Sequence, residues 1–184
     1  MSKAIQKRND ETNNVLSFIE RNAKEFAKVI PTHMNSERMM RLALSAIRTT
    51  PDLAKCTIQS VAVSLMACSA LGLEPNTPQG HAFLIPYRCN IAPKGQKRKY
   101  EHRCQLIIGY KGMIELFYRS GAVSSVQAFP VFKDDQFSVE YGLNPDLKHV
   151  PSTDPYRYKD ENLTHVYAVV KLKDGADPIW IVMD

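Results

Sequence analysis

Residues 81–121 read "HAFLIPYRCNIAPKGQKRKYEHRCQLIIGYKGMIELFYRSG", and the succession of local patterns in this stretch decides the fold class. "HAFLIPY" and "CQLIIGY" are runs rich in β-branched and aromatic residues on either side of "RCNIAPKGQKRKYEHR", which spells a β-hairpin with a basic tip. Pairing centred near Gln96 and Lys97 would set Cys89 opposite Cys104. "GYKG" then turns into a short helix closed by Gly121. Downstream, "AVSSVQAFPVF", "QFSVEYG", "THVYAVVKLKDG" and "IWIVM" read as further strands, separated by a polar loop over 142–163 that contains Pro145, Pro151 and Pro155.

Upstream of Gly80 the period is helical. Val15, Leu16, Ile19, Ala23, Phe26 and Val29 recur at helical spacing over 12–30, which Pro31 ends. A second helix is expected from about Glu37 to Arg48, behind Asn35 and Ser36 as caps and ahead of Pro51. The third, "TIQSVAVSLMACSALGLEP", has Thr57 as a cap, Ile58, Val61, Leu65 and Met66 as a stripe, and Gly72 at its left-handed end. No charge falls between Lys55 and Glu74, which implies burial on most sides, in part under a neighbouring subunit. Helices first, then a mostly antiparallel β-sheet with one helix inserted, make the class α+β.

A chain of 184 residues suits one domain, 1–184. With 44% hydrophobic and 23% charged residues and a mean hydropathy of −0.29 it falls among ordinary globular proteins. The start "MSKAIQKRNDETNN" has no signal-peptide core and no apolar run reaches a membrane span, so a cytoplasmic protein with no membrane partner is expected. Cys56, Cys68, Cys89 and Cys104 are too dispersed for a disulfide framework and read as thiols, the first two within a buried helical run.

The net charge of +5 is unevenly spread. Arg88, Lys94, Lys97, Arg98, Lys99, Arg103, Lys111 and Arg119 fall within 88–119 against two acidic residues, whereas 120–184 is net acidic. Such clustering points to a polyanionic partner.

Nucleotide binding fails on spacing. A P-loop needs four residues before its Gly-Lys pair, and no Gly-Lys dipeptide occurs in this chain; no dinucleotide glycine pattern occurs either. No cofactor is therefore expected. As a backbone-binding surface the stretch is more promising. A helix from Lys111 puts Lys111, Glu115 and Arg119 on one face and Met113, Leu116 and Phe117 opposite. That polar face is either a solvated one with i,i+4 ion pairs or an anion site. A cation at a helix start opposes the macrodipole unless an anion joins it, and Gly109 and Gly112 would admit a sugar-phosphate chain closely. The hairpin basics are either edge protection or a track for phosphates beside Tyr87, Tyr100, Tyr110 and Tyr118.

Cys89, His102 and Cys104, with His81, lack the paired spacing of a zinc site, and cross-strand thiol packing is the expected account. Asp134, Asp135, Glu140, Asp146 and Asp154 could suggest a metal-dependent nuclease, but "KDDQF" reads as a turn between strands and no nucleophile–base pairing is legible at Ser120, Ser124 or Ser125. No metal site and no enzyme activity are expected.

The linked series "SVAVSLMACSALGLEPN", "GHAFLIPY", "CQLIIGYKGMIELFYRSG", "YGLNPDLKH" and "VYAVVKLKDG" resembles the RecT family of phage single-strand annealing proteins over about 35–175. The resemblance implies ATP-independent binding of single-stranded DNA and annealing of complementary strands, by homo-oligomers forming rings or helical filaments. It implies operation in recombination beside a phage 5′→3′ exonuclease, and recruitment of host single-strand-binding protein. DNA contact is carried over to Lys111 and Arg119, with Tyr110, Gly112, Arg88, Lys97, Arg98, Lys99 and Arg103 as further candidates. Two departures stand out: the basic run between "LIPY" and "CQLIIGYKG" is longer than the family's usual link, and a further helical, basic segment usual after "IWIVMD" is expected to be absent. The rival readings are a single-strand binder that does not anneal, and the nuclease.

Overall fold

The computed structural model describes residues 13–154, 156 and 158–184; the polar start up to residue 12, like Pro155, lies outside them. The chain divides into two compact units, residues up to Leu116 and Phe117–Asp184.

The first unit begins with helix α1 (13–21) and helix α2 (Ala23–Val29). The sequence pattern reads as one helix over 12–30; the structure breaks it at Asn22, whose side-chain amide donates to the Phe18 carbonyl (2.8 Å). Local side-chain hydrogen bonding of this kind competes with helix continuation. Helix α3 (Ser36–Thr49) is capped by Asn35, which accepts from the Arg38 N–H at 3.0 Å. A 3₁₀ turn (Pro51–Lys55) leads to α4 (Ile58–Leu71), capped by Thr57 and closed by Gly72 at φ 61°. Cys56 lies just ahead of α4, not within it.

Strands β1 (Ala82–Asn90) and β2 (Tyr100–Ile108) form an antiparallel pair. Their register sets Pro86 opposite Cys104 and Cys89 opposite Glu101. The expected Cys89–Cys104 pairing is thus wrong, because the turn is built around Gly95 (φ 89°), with the Gln96 N–H bonded to the Pro93 carbonyl. Asn90 fixes the neck by accepting from Ala92 and Lys99.

Helix α4 covers the outer edge of β2. The Thr57 N–H donates to the His102 carbonyl, Ser60 Oγ accepts from the Cys104 N–H (2.9 Å), and Ser64 Oγ donates to the Cys104 carbonyl (3.1 Å). Serines therefore face inward, alongside Val61, Leu65 and Cys68. The opposite stripe of α4, with Gln59, Val63, Ala67 and Ala70, is exposed. Among the described residues that stripe has no covering element, and the expected cover by a neighbouring subunit concerns this face. The core of this unit joins Val15, Ile19, Phe26, Ala43, Ile47, Leu53, Val61 and Leu65 to Leu84 and Cys104.

The "GLEPN" segment has local duties. Glu74 receives two hydrogen bonds from Arg38 (2.6 and 3.1 Å), tying the segment to α3. Asn76, at φ 52°, accepts the Leu84 N–H through Oδ1 (2.7 Å) and starts β1.

Helix α5 (Tyr110–Arg119) runs across the boundary between the units. In the second unit, β3 (Val123–Phe132), β6 (Leu163–Leu172) and β7 (Ile179–Met183) form one antiparallel sheet, and β4 (Gln136–Glu140) pairs with β5 (Asp146–Val150). The strands thus make three separate sheets rather than one. β5 corrects the reading of 142–163 as a loop.

An aromatic layer joins the two sheets of this unit. Phe137 stacks on Tyr167 with centroids 5.8 Å apart, and Tyr141 meets Trp180 at 5.3 Å. Beneath it, Asp135 accepts from the backbone N–H groups of Phe132 and Ser152, both at 2.8 Å, and contacts His149 Nε2 at 3.1 Å. His149 Nδ1 lies 3.1 Å from the Tyr167 hydroxyl. With the proton on Nε2, the imidazole donates to Asp135 and accepts from Tyr167; burial pushes the Tyr167 phenol up and keeps it a donor. On the sheet's other face, Val126, Val170 and Ile179 lie abreast, as do Ala128, Ala168 and Ile181, and Pro130, Val166 and Met183. Ile179, Ile181 and Met183 are exposed there.

Burial pushes the thiols of Cys56 and Cys68 up to about 12. Both are expected to resist iodoacetamide near neutral pH until denaturant is added, with half-exposed Cys89 modified first. Peptide mass spectrometry reads this directly, and rapid labelling of Cys68 in the native protein would contradict its placement.

Candidate nucleic-acid interface

The start of α5 is built on the loop before β1. Gly109 donates its N–H to the His81 carbonyl at 3.0 Å. A Cβ at Gly109 would collide with the Gly80 carbonyl oxygen, and one at Gly112 with the His81 carbonyl oxygen, with the His81 carbonyl carbon 2.9 Å away. The close approach that these glycines permit is therefore taken up by the chain's own backbone. Gly112, a candidate DNA contact from the sequence, is buried and packs against the His81 backbone.

This packing fixes Lys111. A Cβ built on Gly80 lies 3.7 Å from the Phe83 ring and 4.0 Å from Lys111 Cδ, so the ring and the lysine stem converge on Gly80. Lys111 is exposed, in the first turn of α5, with Nζ 6.0 Å from the centroid of the Tyr110 ring, which is itself 70% exposed. Among the described residues Lys111 forms no ion pair. Arg119 and Glu115 are half-buried on the same helix, and Arg119 falls in the second unit. Of the residues opposite that polar face, Met113 and Phe117 are exposed, while Leu116 packs beside Met39 and Cys68. The helix buries the Gly112–Leu116 side instead, since only a glycine allows the His81 carbonyl so near.

The hairpin basics split into groups. Lys97, Arg98 and Lys99 are exposed at the tip and form no ion pair among the described residues. Arg88 lies over the Tyr100 ring at 4.3 Å, a cation–π contact that holds it against the strand. Arg103 contacts Glu101 at 3.2 Å. It also lines a groove of about 410 Å³ between α4 and β2, with Gln59 and Val63. Sequence reasoning missed this groove, because only the β2 register brings Arg103 to α4.

The remaining candidates are occupied otherwise. Cys89 points to the opposite face of the hairpin from His102 and Cys104, which removes the geometry of a shared zinc site. Among the described residues no group of three or more His, Cys, Asp or Glu could hold a metal ion. Asp135 is committed to the buried network, and Lys148, 2.7 Å from Asp146, holds that carboxyl below the usual range. No helix among the described residues is long and apolar enough to cross a membrane.

A family model described as "RecT family" matches residues 37–184. Protein RecT of Escherichia coli (strain K12) is 41% identical over 167 residues, covering 90% of this chain and 59% of that protein. The chain thus spans less than two thirds of the length of that curated relative. The match takes in α3, α4, the hairpin, α5 and all of the second unit's strands, and the chain belongs to the RecT family.

Proposed function

We propose that this chain binds single-stranded DNA and anneals complementary strands without ATP, working as a homo-oligomer in recombination. The observation that carries the reading is the exposed Lys111 fixed at the start of α5, with no ion pair among the described residues, on the same unit as the basic hairpin. There the lysine, the first-turn N–H groups of α5 and the exposed Tyr110 ring offer charge for phosphate and an aromatic surface for a base. Arg88, Lys97, Arg98, Lys99 and Arg103 extend the positive surface of this unit, and Arg119, in the second unit, is a further candidate contact.

Annealing needs no chemical step. It needs two polyanions held close with base edges accessible, by contacts that ignore sequence and weaken with salt. Assembly of copies side by side multiplies weak contacts, and the exposed Ile179, Ile181 and Met183 give a second copy an apolar surface to cover. A 5′→3′ exonuclease is the fitting partner, since it generates single strands. Host single-strand-binding protein is a second, because it competes for the same substrate.

The test mixes complementary labelled oligonucleotides without ATP or metal. Duplex forming faster than the spontaneous rate supports annealing. Strands sequestered without pairing would reduce the function to binding, and magnesium-dependent fragments would replace it with a nuclease. Lys111→Ala is expected to weaken binding three- to tenfold for all sequences, roughly, and to lower the salt slope by about one. Titrations across a salt series read both, and an unchanged slope removes Lys111 from the contact surface.

A further inference from the structure

The outer face of the β1–β2 hairpin is more apolar than the fold requires. Its inner face carries Ala82, Leu84, Cys104 and Leu106 into the core. In a two-stranded hairpin buried on one side, the alternate positions should be polar. Here they are Phe83, Ile85 and Tyr87, facing Ile107, Gln105 and Arg103 in turn. Phe83 is 36% and Tyr87 40% exposed, so both rings remain open to solvent on one side.

Each ring has a cation beside it. The Phe83 ring and the Lys111 stem both approach Gly80, and Arg103 lies directly across the strand pair from Tyr87. Four residues along one strand separate the rings by about 13 Å. That far exceeds the roughly 3.4 Å step between stacked bases, so the rings cannot sandwich one base and each serves a different nucleotide. The one carboxylate on this face, Glu101, already holds Arg103; a phosphate at Arg103 would share the guanidinium with it. Lys111, which has no such partner among the described residues, is the stronger phosphate end of the track.

We propose that this face is a base-stacking platform, on which Phe83 and Tyr87 each take the flat face of one nucleobase while Lys111 and Arg103 take the flanking phosphates. The ligand class is a single strand with its bases unstacked. A duplex, whose bases are already stacked on both sides, cannot use the rings. Contact through base faces leaves the pairing edges open, which annealing requires. This inference rests on the single-strand-binding reading above and adds two residues to it.

The experiment compares oligothymidine with an abasic oligodeoxynucleotide of equal length, using the full chain and fluorescence anisotropy. The unaltered protein is expected to prefer oligothymidine. Phe83→Leu and Tyr87→Leu, which keep apolar packing and lose the ring, should each lower oligothymidine affinity about tenfold and leave abasic affinity unchanged. Phe83→Tyr should restore the preference, which a mere packing role would not explain if thermal melting shows all variants folded. Lys111→Ala should weaken both probes alike. Equal losses on both probes, or no loss in either leucine variant, would overturn the platform while leaving single-strand binding intact. Absence of binding by the unaltered protein to either probe at low salt would overturn both readings.

Discussion

Asp135→Ala is expected to cost about 4 kcal/mol of stability. The side chain of Asp135 is 0% exposed and that of His149 7%. One carboxylate satisfies the N–H groups of Phe132 and Ser152 and the imidazole of His149. Alanine strands two buried backbone donors and a buried ring nitrogen, at about 1–3 kcal/mol each where relaxation is incomplete. Asp135→Asn keeps the shape but offers one acceptor oxygen, so about 2 kcal/mol is expected. Trp180, the only tryptophan, reports this unit by fluorescence during urea unfolding. A shift of the midpoint worth less than about 1 kcal/mol for alanine would show that water replaces the carboxylate, and that the network does not hold β4 and β5 to the sheet.

That network also shows why part of the fold was illegible. "DLKHV" offers only Leu147 as a conventional inward residue, and three prolines nearby signal a loop. His149 faces inward only because Asp135, 14 residues earlier, and Tyr167, 18 later, supply its partners. No local pattern encodes that. By contrast, Asn35, Thr57 and Gly72 act within one turn of their own position, and the helix ends they set were readable. The hairpin was readable in outline because both strands are strongly β-forming. Its register was not, since Gly95 rather than the middle of the basic run sets the turn. The direction of Phe83 and Tyr87 was hidden for a related reason. "HAFLIPY" is apolar at both parities, so alternation cannot tell which face enters the core until α4 closes over β2.

Gly112→Ala separates what the sequence suggested at the candidate site from what the structure assigns. In an exposed helix this change stabilises by about 1 kcal/mol, because glycine loses more backbone entropy than alanine on folding. Here the added Cβ meets the oxygen, carbonyl carbon and Cα of His81, all backbone atoms, the latter two at 2.9 and 3.1 Å. No rotamer change relieves that contact, so either α5 or the loop before β1 must move. The expected net loss is about 3 kcal/mol, as in overpacked cores. Because the same loop positions Lys111 beside Phe83, the variant should also bind single strands more weakly at temperatures where it remains folded. A glycine that served only to admit a DNA backbone would behave in the opposite way. Alanine would then leave the melting temperature unchanged or higher and weaken binding alone. Melting curves of the Gly112→Ala and Lys111→Ala proteins, measured without DNA, therefore discriminate: a fall in the first and none in the second places Gly112 beneath the site and Lys111 upon it.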